Sequence, residues 1–466
     1  MGADLVVLLP EALLFLGGMV TLVGGSFTPR TRQWRLRLVA AAATAASLVA
    51  GLVAWAGNAR TAFSGTFTVD ASTGAARVTV TVSLLLILLI AAGEVRDHPR
   101  ESETYSLLLL GGTGALLLAG CTDLAVLVVA FLLSSIPLYG LVGIIARPDS
   151  AEAALKTYLF GALFGILLML GAVLLYGLAG HAGYPTLAAE LGDAPRSAVG
   201  VGGLLVVTGL LFKAGGVPGH FWVPDATQGA SVTAAAFLTT VPKIGALVAI
   251  TRLVAVLPGE VRWATVLGVL GVASMTIGNL AALAQSDVRR LLGWSTVSQV
   301  GYLLAAAAVT RLSDLGQPAL LFFLAGYALT NLAAFAVAAA QPDRRSLEQW
   351  SGFATTRPGL TAALVVALLG LVGTPPTAVF VGKLTTMGAS WDAGLPWLAV
   401  AVAVNTVVSL FYYLRWIRAA LRPAAQLGDG IGTGDGGRDA RTAALVAAAA
   451  TIAMGLAAGP LWLMLG

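Results

Sequence analysis

Residues 211–233 read LFKAGGVPGHFWVPDATQGASVT. An uncharged apolar run, 197–212, arrives at Lys213 and is cut directly afterwards by Gly215, Gly216 and Pro218. Glycine and proline interrupt a helix and free backbone groups. At membrane depth such a break is tolerated only where it lines a cavity or is buried in protein. A second stretch has the same make-up. In GTPPTAVFVGKL, residues 373–384, Gly373, Pro375 and Pro376 precede Lys383. Two interrupted apolar segments in corresponding halves of a chain, each with a lysine, point to an inverted-repeat transporter. With repeats of helices 4–8 and 9–13, the lysines fall at matching places on helices 7 and 12.

The rest of the chain fits that frame. Of 466 residues 58% are hydrophobic and only 11% charged, against about 25% charged in soluble proteins. This excludes a soluble enzyme, a disordered chain and a disulfide scaffold. Uncharged runs follow one another at 38–59, 78–93, 104–122, 124–146, 157–180, 197–212, 226–242, 263–286, 291–310, 315–342, 358–382, 393–414 and 442–466. One more, 5–25, is broken only by Glu11. Each, alone or with its flanks, is long enough for a helix to cross a hydrocarbon core of about 30 Å. The alternating segments of a barrel are absent. The expected fold is all-α and polytopic, with about fourteen transmembrane helices. Residues 1–25 lack a basic leader region, so the first span is expected to stay. The abundant glycine and alanine suit close helix approach in lipid. Residues 427–441, LGDGIGTGDGGRDAR, read as a flexible loop. Their glycines lack the preceding strand and the spacing of a dinucleotide site.

The implied organisation is 1–103 for helices 1–3, 104–256 for the first repeat, 257–421 for the second, a Gly/Asp-rich cytoplasmic loop at 422–441, and a last helix at 442–466. Loops after odd-numbered helices hold 17 Arg and those after even-numbered helices 6, Arg77 among them. The positive-inside rule then puts the odd loops in the cytoplasm and both termini outside. Cys121 lies in an even loop, so it is expected to face outside and to react with an impermeant maleimide. Glu11 reads as interfacial.

All 23 Arg lie in or next to loops on this map, but the four Lys do not. Lys213, Lys243 and Lys383 lie within apolar segments, and Lys156 in the first turns of one. A charge at mid-membrane is costly and usually functional. Lysine suits proton handling because a buried amine can exist charged or neutral, whereas arginine stays protonated. Snorkelling to the interface is the competing explanation, best suited to Lys156. The three His and one Cys are scattered, so no metal, haem or iron–sulfur site is expected.

Segment 211–233 resembles the "FK…VPFH.W.PD.Y.GAP" signature of the antiporter-like membrane subunits of respiratory complex I. VPKIGAL at 241–247, RLLGWSTVSQVGYLL at 290–304 and GTPPTAVFVGKL are similar to subunit N more than to subunits L and M. CTDLAVLVVAFLLSSIPLYGLVGIIAR at 121–147 and EAALKTYL at 152–159 match as well, so the resemblance spans at least 100–420. It implies a fourteen-helix bundle in a membrane arm, with proton transfer driven by quinone reduction in other subunits. Carried over by position, Lys213 is the central proton-carrying lysine, Lys243 the connecting one, Lys383 the one towards the exit, and Lys156 a helix 6 lysine. His220 and Asp225 belong to the matched motif. His220 is a candidate proton relay, with a structural hydrogen bond as the alternative.

The chain departs from the family pattern at helix 5. A glutamate there usually stands three residues before "SLP", and counting back from Ser135-Ile136-Pro137 that place is Leu132. The candidate charge partners that remain are Asp123, Glu152 and Asp225. Glu152 and Lys156, four apart, share a helix face and could form a displaced pair. The resemblance implies no cofactor on this chain. NADH, flavin, iron–sulfur clusters and quinone would belong to partner subunits of both arms, in a bacterial inner membrane and with no nucleic acid. Two alternatives stay open: a homologous subunit of a multisubunit cation/proton antiporter or membrane-bound hydrogenase, and a scaffold subunit that does not conduct.

Overall fold

The computed structural model describes residues 2–259, 261–423 and 437–465. The chain is a helical bundle. Helices α1 (Leu9–Phe27), α2 (Trp34–Trp55) and α3 (Ala71–Glu94) are followed by α4 (Glu101–Gly120), α5 (Leu124–Gly143) and α6 (Pro148–Ala179). The seventh crossing is split into α7a (Arg196–Ala214) and α7b (Trp222–Gly229). Then come α8 (Val232–Val256), α9 (Trp263–Leu283), α10 (Val288–Ala308) and α11 (Gly316–Ala340). The twelfth crossing is again split, into α12a (Pro358–Val372) and α12b (Ala378–Asp392), before α13 (Pro396–Leu421) and α14 (Arg438–Leu456). Among the described residues thirteen helices are long and apolar enough to span a membrane singly. The expected fourteenth crossing is the α12a–α12b pair, neither half of which reaches spanning length.

Local chemistry sets the helix ends. Asp70, Asp123, Ser231 and Asp287 accept first-turn N–H groups of α3, α5, α8 and α10, which fills orphan donors. Both breaks begin the same way. Gly215 (φ 81°) ends α7a and Gly373 (φ 89°) ends α12a in the left-handed region, which only glycine enters cheaply. The N–H of Gly215 returns to the carbonyls of Leu211 and Phe212, and that of Gly373 to Leu369 and Gly370. The central pillar is α8, whose apolar stretch is buried on every side. It packs on α3, α4 and α7a and also on α11 and α10, so it touches helices of both expected repeats. Gly245 makes this possible on the α4 side, because a Cβ there would collide with the Ala115 backbone.

Several boundaries differ from the charge map. The run 226–242 predicts a span ending before Lys243, whereas α8 starts at Val232 and carries Lys243 near its middle. A single charge had closed the run, but a buried lysine does not close a helix. Helix α6 starts at Pro148 and so includes Glu152 and Lys156. The last long helix runs from Arg438 to Leu456, and a short one, Ala458–Trp462, follows it. Residues 424–436, most of the Gly/Asp-rich loop, lie outside the described residues.

Two charges assigned to the periphery are buried. Arg77 sits inside α3, and Glu11 is in α1. The Arg77 Nε and Nη2 donate to Glu11 Oε1 and Oε2, both at 2.8 Å, and Nη2 also donates to the Val7 carbonyl at 2.9 Å. Arg77 is 1% and Glu11 3% exposed, so Arg77 is not a loop group and Glu11 is enclosed by the helices around it. Cys121 is also buried and donates to the Leu118 carbonyl, contrary to the expected labelling.

Candidate functional site

Lys213 is the penultimate residue of α7a and is fully buried. Its Nζ donates to Ser135 Oγ at 2.7 Å, and the Phe131 ring centroid lies 5.5 Å away. Ser135 and Phe131 are one turn apart on α5, and Ser135 Oγ donates to the Phe131 carbonyl. Leu132, the place of the missing glutamate, lies beside that face and not on it, and it is 39% exposed. No side chain at 132 contacts the Lys213 amine, whose α5 neighbours are Ser135 and Phe131. The α5 face toward Lys213 is Phe131 and Ser135, because 132 lies about 100° around the helix from its neighbour.

Lys243 is buried in the middle of α8. Its Nζ donates to the Leu238 carbonyl at 3.1 Å and lies 5.9 Å from the Trp222 ring centroid. The preceding residue explains this acceptor. Pro242 has no N–H, so the carbonyl four residues back, Leu238, loses its helical donor. The lysine head fills that place. Lys383 is buried in α12b. Its Nζ donates to the Val372 carbonyl at 2.9 Å and the Leu371 carbonyl at 3.3 Å. These are last-turn carbonyls of α12a, which a helix end leaves without partners. Its Nζ is 3.8 Å from the Tyr302 ring centroid.

The two broken helices use their lysines differently. Lys213 stands before the glycine break and Lys383 after it. The lysines are thus not at matching positions along their helices, although the breaks are alike.

Polar side chains fill the space between them. Asn331 on α11 donates to the Thr239 and Thr240 hydroxyls of α8 at 2.9 and 3.0 Å. The Tyr327 hydroxyl donates to the Thr239 carbonyl at 2.7 Å and lies 3.2 Å from Thr296 Oγ1 on α10. Gln299 donates to the Leu371 carbonyl at 2.7 Å, which Lys383 also uses. The sequence carried a signal for the α10 part: Ser295, Thr296, Ser298, Gln299 and Tyr302 crowd one apolar run. Nothing in the order of residues marked Tyr327 or Asn331.

The remaining candidates are elsewhere. Lys156 is half-exposed, pairing with Glu152 at 2.7 Å and with Asp225 at 3.0 Å, and Asp225 also holds Arg290 at 2.6 Å. The Glu152–Lys156 pair therefore forms, but as part of a cluster with α7b and α10. Asp123 spends one carboxylate oxygen on the Ala125 and Val126 N–H groups as a helix cap, so it is a structural group here. His220 lies in the α7 break, nearly buried, with its ring centroid 4.2 Å from Phe221 and 5.9 Å from Trp294. Its Nδ1 has no partner among the described residues. Among those residues no group of three or more His, Cys, Asp or Glu could hold a metal.

A family profile described as NADH:quinone oxidoreductase/Mrp antiporter, TM, matches residues 121–409. All four lysines fall within it. The chain is 56% identical over 452 residues to NADH-quinone oxidoreductase subunit N of Mycobacterium sp. (strain JLS), covering 97% of this chain and 96% of that one. It is similar in fold to a chain of respiratory complex I from Thermus thermophilus with bound aureothin, with a TM-score of 0.83, 32% identity and coverage of 97% and 98%. A chain of the Mrp complex from a Dietzia species has the same fold at 24% identity, with a TM-score of 0.84 and coverage of 99% and 96%.

Proposed function

This chain belongs to the family of NADH-quinone oxidoreductase subunit N, and on that premise we propose that Lys213, Lys243 and Lys383 carry protons through it. It is a proton-translocating subunit of the complex I membrane arm. The observation that carries the proposal is the surroundings of the three amines. Each is buried, and each hydrogen-bonds a hydroxyl or a carbonyl freed by a helix break or a proline. No ion pair among the described residues joins any of them to a carboxylate. Unpaired cations at membrane depth are costly and are retained for transport.

In this reading Lys213 is the central site, Lys243 links it to the second half, and Lys383 delivers toward the exit. Thr239, Thr240, Asn331, Tyr327, Thr296 and Gln299 support the passage between the last two. Lys156 and Asp225, with Glu152, form an ionic cluster at the odd-loop end, and His220 serves the broken helix 7. The repeats span 104–256 and 257–421. The driving chemistry belongs to partner subunits of the two arms, which hold flavin, iron–sulfur clusters and the NADH and quinone sites. The location is a bacterial inner membrane with both termini outside. The high identity to a subunit N, against a likeness of fold alone to an Mrp chain, favours this over the antiporter alternative.

The test is NADH-driven proton translocation in membrane vesicles. Lys213→Ala and Lys383→Ala are expected to assemble normally and to lower the protons moved per NADH oxidised. Lys156→Ala should be milder, because that side chain reaches solvent. Unchanged ratios in both buried-lysine variants would overturn the proposal and leave a scaffold.

A further inference from the structure

Among the described residues no carboxylate faces any of the three buried amines, but each amine faces an aromatic ring. The centroid distances are 5.5 Å for Lys213 to Phe131, 5.9 Å for Lys243 to Trp222, and 3.8 Å for Lys383 to Tyr302. An ammonium within about 6 Å of a ring centroid is attracted by the negative face of the ring, most strongly when desolvated. The Lys383 contact is much the closest. We propose that Tyr302 is the positioning residue of Lys383, its ring face serving as the counter-charge that a carboxylate would otherwise supply.

The surroundings fix both partners. The Lys383 ammonium donates to two carbonyls at the C-terminal end of α12a, which is the negative end of that half-helix. It is thus held between two sources of partial negative charge. Its stem is confined as well, since a Cβ on Gly373 would come within 3.0 Å of Lys383 Cδ. Tyr302 is fully buried on α10. Beside its hydroxyl lies Asn279 of α9, which is itself bonded to Ser298, Asn405 and Tyr412. Helices α9, α10 and α13 therefore present the ring to the amine without lending a formal charge. The hydroxyl engages Asn279, whose Nδ2 is 3.5 Å away, together with Thr406 and Ser298, whereas the amine meets the face of the ring.

The proposal rests on the reading that Lys383 carries protons, and the experiment separates the two. In the assembled complex in membrane vesicles, Tyr302→Phe should keep proton translocation within about twofold of the wild type, because the ring face survives. Tyr302→Leu should fall to the level of Lys383→Ala, and should cause no further loss in a Lys383→Ala background. Because Tyr302→Leu also changes the packing of a buried site, mono-, di- and trifluorinated phenylalanines at 302 form a control series of nearly constant shape. Translocation should fall stepwise with fluorine number as the negative face is depleted. A flat fluorine series, or Tyr302→Phe losing as much as Lys383→Ala, overturns the role of the ring. If Lys383→Ala itself pumps normally, the proton-carrying role of Lys383 fails instead, and this proposal with it.

Discussion

Glu11 and Arg77 show what a single residue can hide. Glu11 alone interrupts an uncharged run and Arg77 borders one, so a charge map assigns the first to an interface and the second to a loop. The fold puts the two, 66 positions apart, in a two-pronged ion pair that is almost fully enclosed. Taking Arg77 out of the even-loop tally widens the arginine asymmetry and leaves its direction unchanged. Removing one partner of such a pair strands the other charge, at about 3–5 kcal/mol, whereas replacing both with apolar groups is often near neutral. Glu11→Gln should therefore destabilise the subunit by about that amount, while the double variant Glu11→Leu, Arg77→Met recovers most of it. Thermal unfolding in detergent measures both, and losses that simply add would show that the two groups are not coupled. The lysines were legible because they stand within apolar segments, two of them beside Gly/Pro breaks, while the arginines read as loop residues. The rings beside them were not legible, because Phe131, Trp222 and Tyr302 look like any aromatic in an apolar helix. Leu132 marks the same limit. A motif match gives its position along α5 but not its surroundings, and in the fold it is partly exposed.

At the scale of elements, the recurring device is a backbone carbonyl released from its helix and taken by an amine. In α12a the release comes from the helix end at Gly373, and in α8 from Pro242. The first was readable from the Gly-Pro-Pro cluster. The second was present in VPKIGAL but has meaning only once residue 243 is known to curl back toward residue 238. An alanine at 242 supplies the missing N–H and returns the Leu238 carbonyl to the helix, where it competes with Lys243. Relief of an interior proline favours the helix by about 3 kcal/mol. Pro242→Ala should thus leave assembly intact or firmer and still lower NADH-driven proton translocation. Normal translocation in a well-assembled Pro242→Ala complex would show that Lys243 does not depend on that carbonyl. The breaks also explain why matching lysines along the two halves could not be read from spacing. Lys213 uses a hydroxyl of a neighbouring helix, whereas Lys383 reaches back across its own break.

For the whole molecule the proposed sidedness rests on the arginine asymmetry between odd and even loops. Cys121, the single thiol, is a poor reporter. It is buried, and burial pushes the thiol up to about 12, so the nucleophilic thiolate is scarce near neutral pH. A better test starts from Cys121→Ser and places a thiol where the chain is exposed. His181 follows the left-handed Gly180 that ends α6 and is exposed on an even loop, and Arg147 is exposed on an odd loop before α6. The two sites flank one helix of 32 residues, about 48 Å at 1.5 Å per residue, so they must emerge on opposite sides of a membrane with a core of about 30 Å. In intact cells an impermeant maleimide should label His181→Cys and spare Arg147→Cys, and inverted vesicles should reverse the pattern. Detergent-opened membranes, where both thiols are reachable, normalise for cover by partner subunits. Labelling of Arg147→Cys but not His181→Cys from outside would turn the chain over and place both termini in the cytoplasm. The ionic cluster of Lys156, Glu152, Asp225 and Arg290, close to the start of α6, would then face the proton-release side instead of the uptake side.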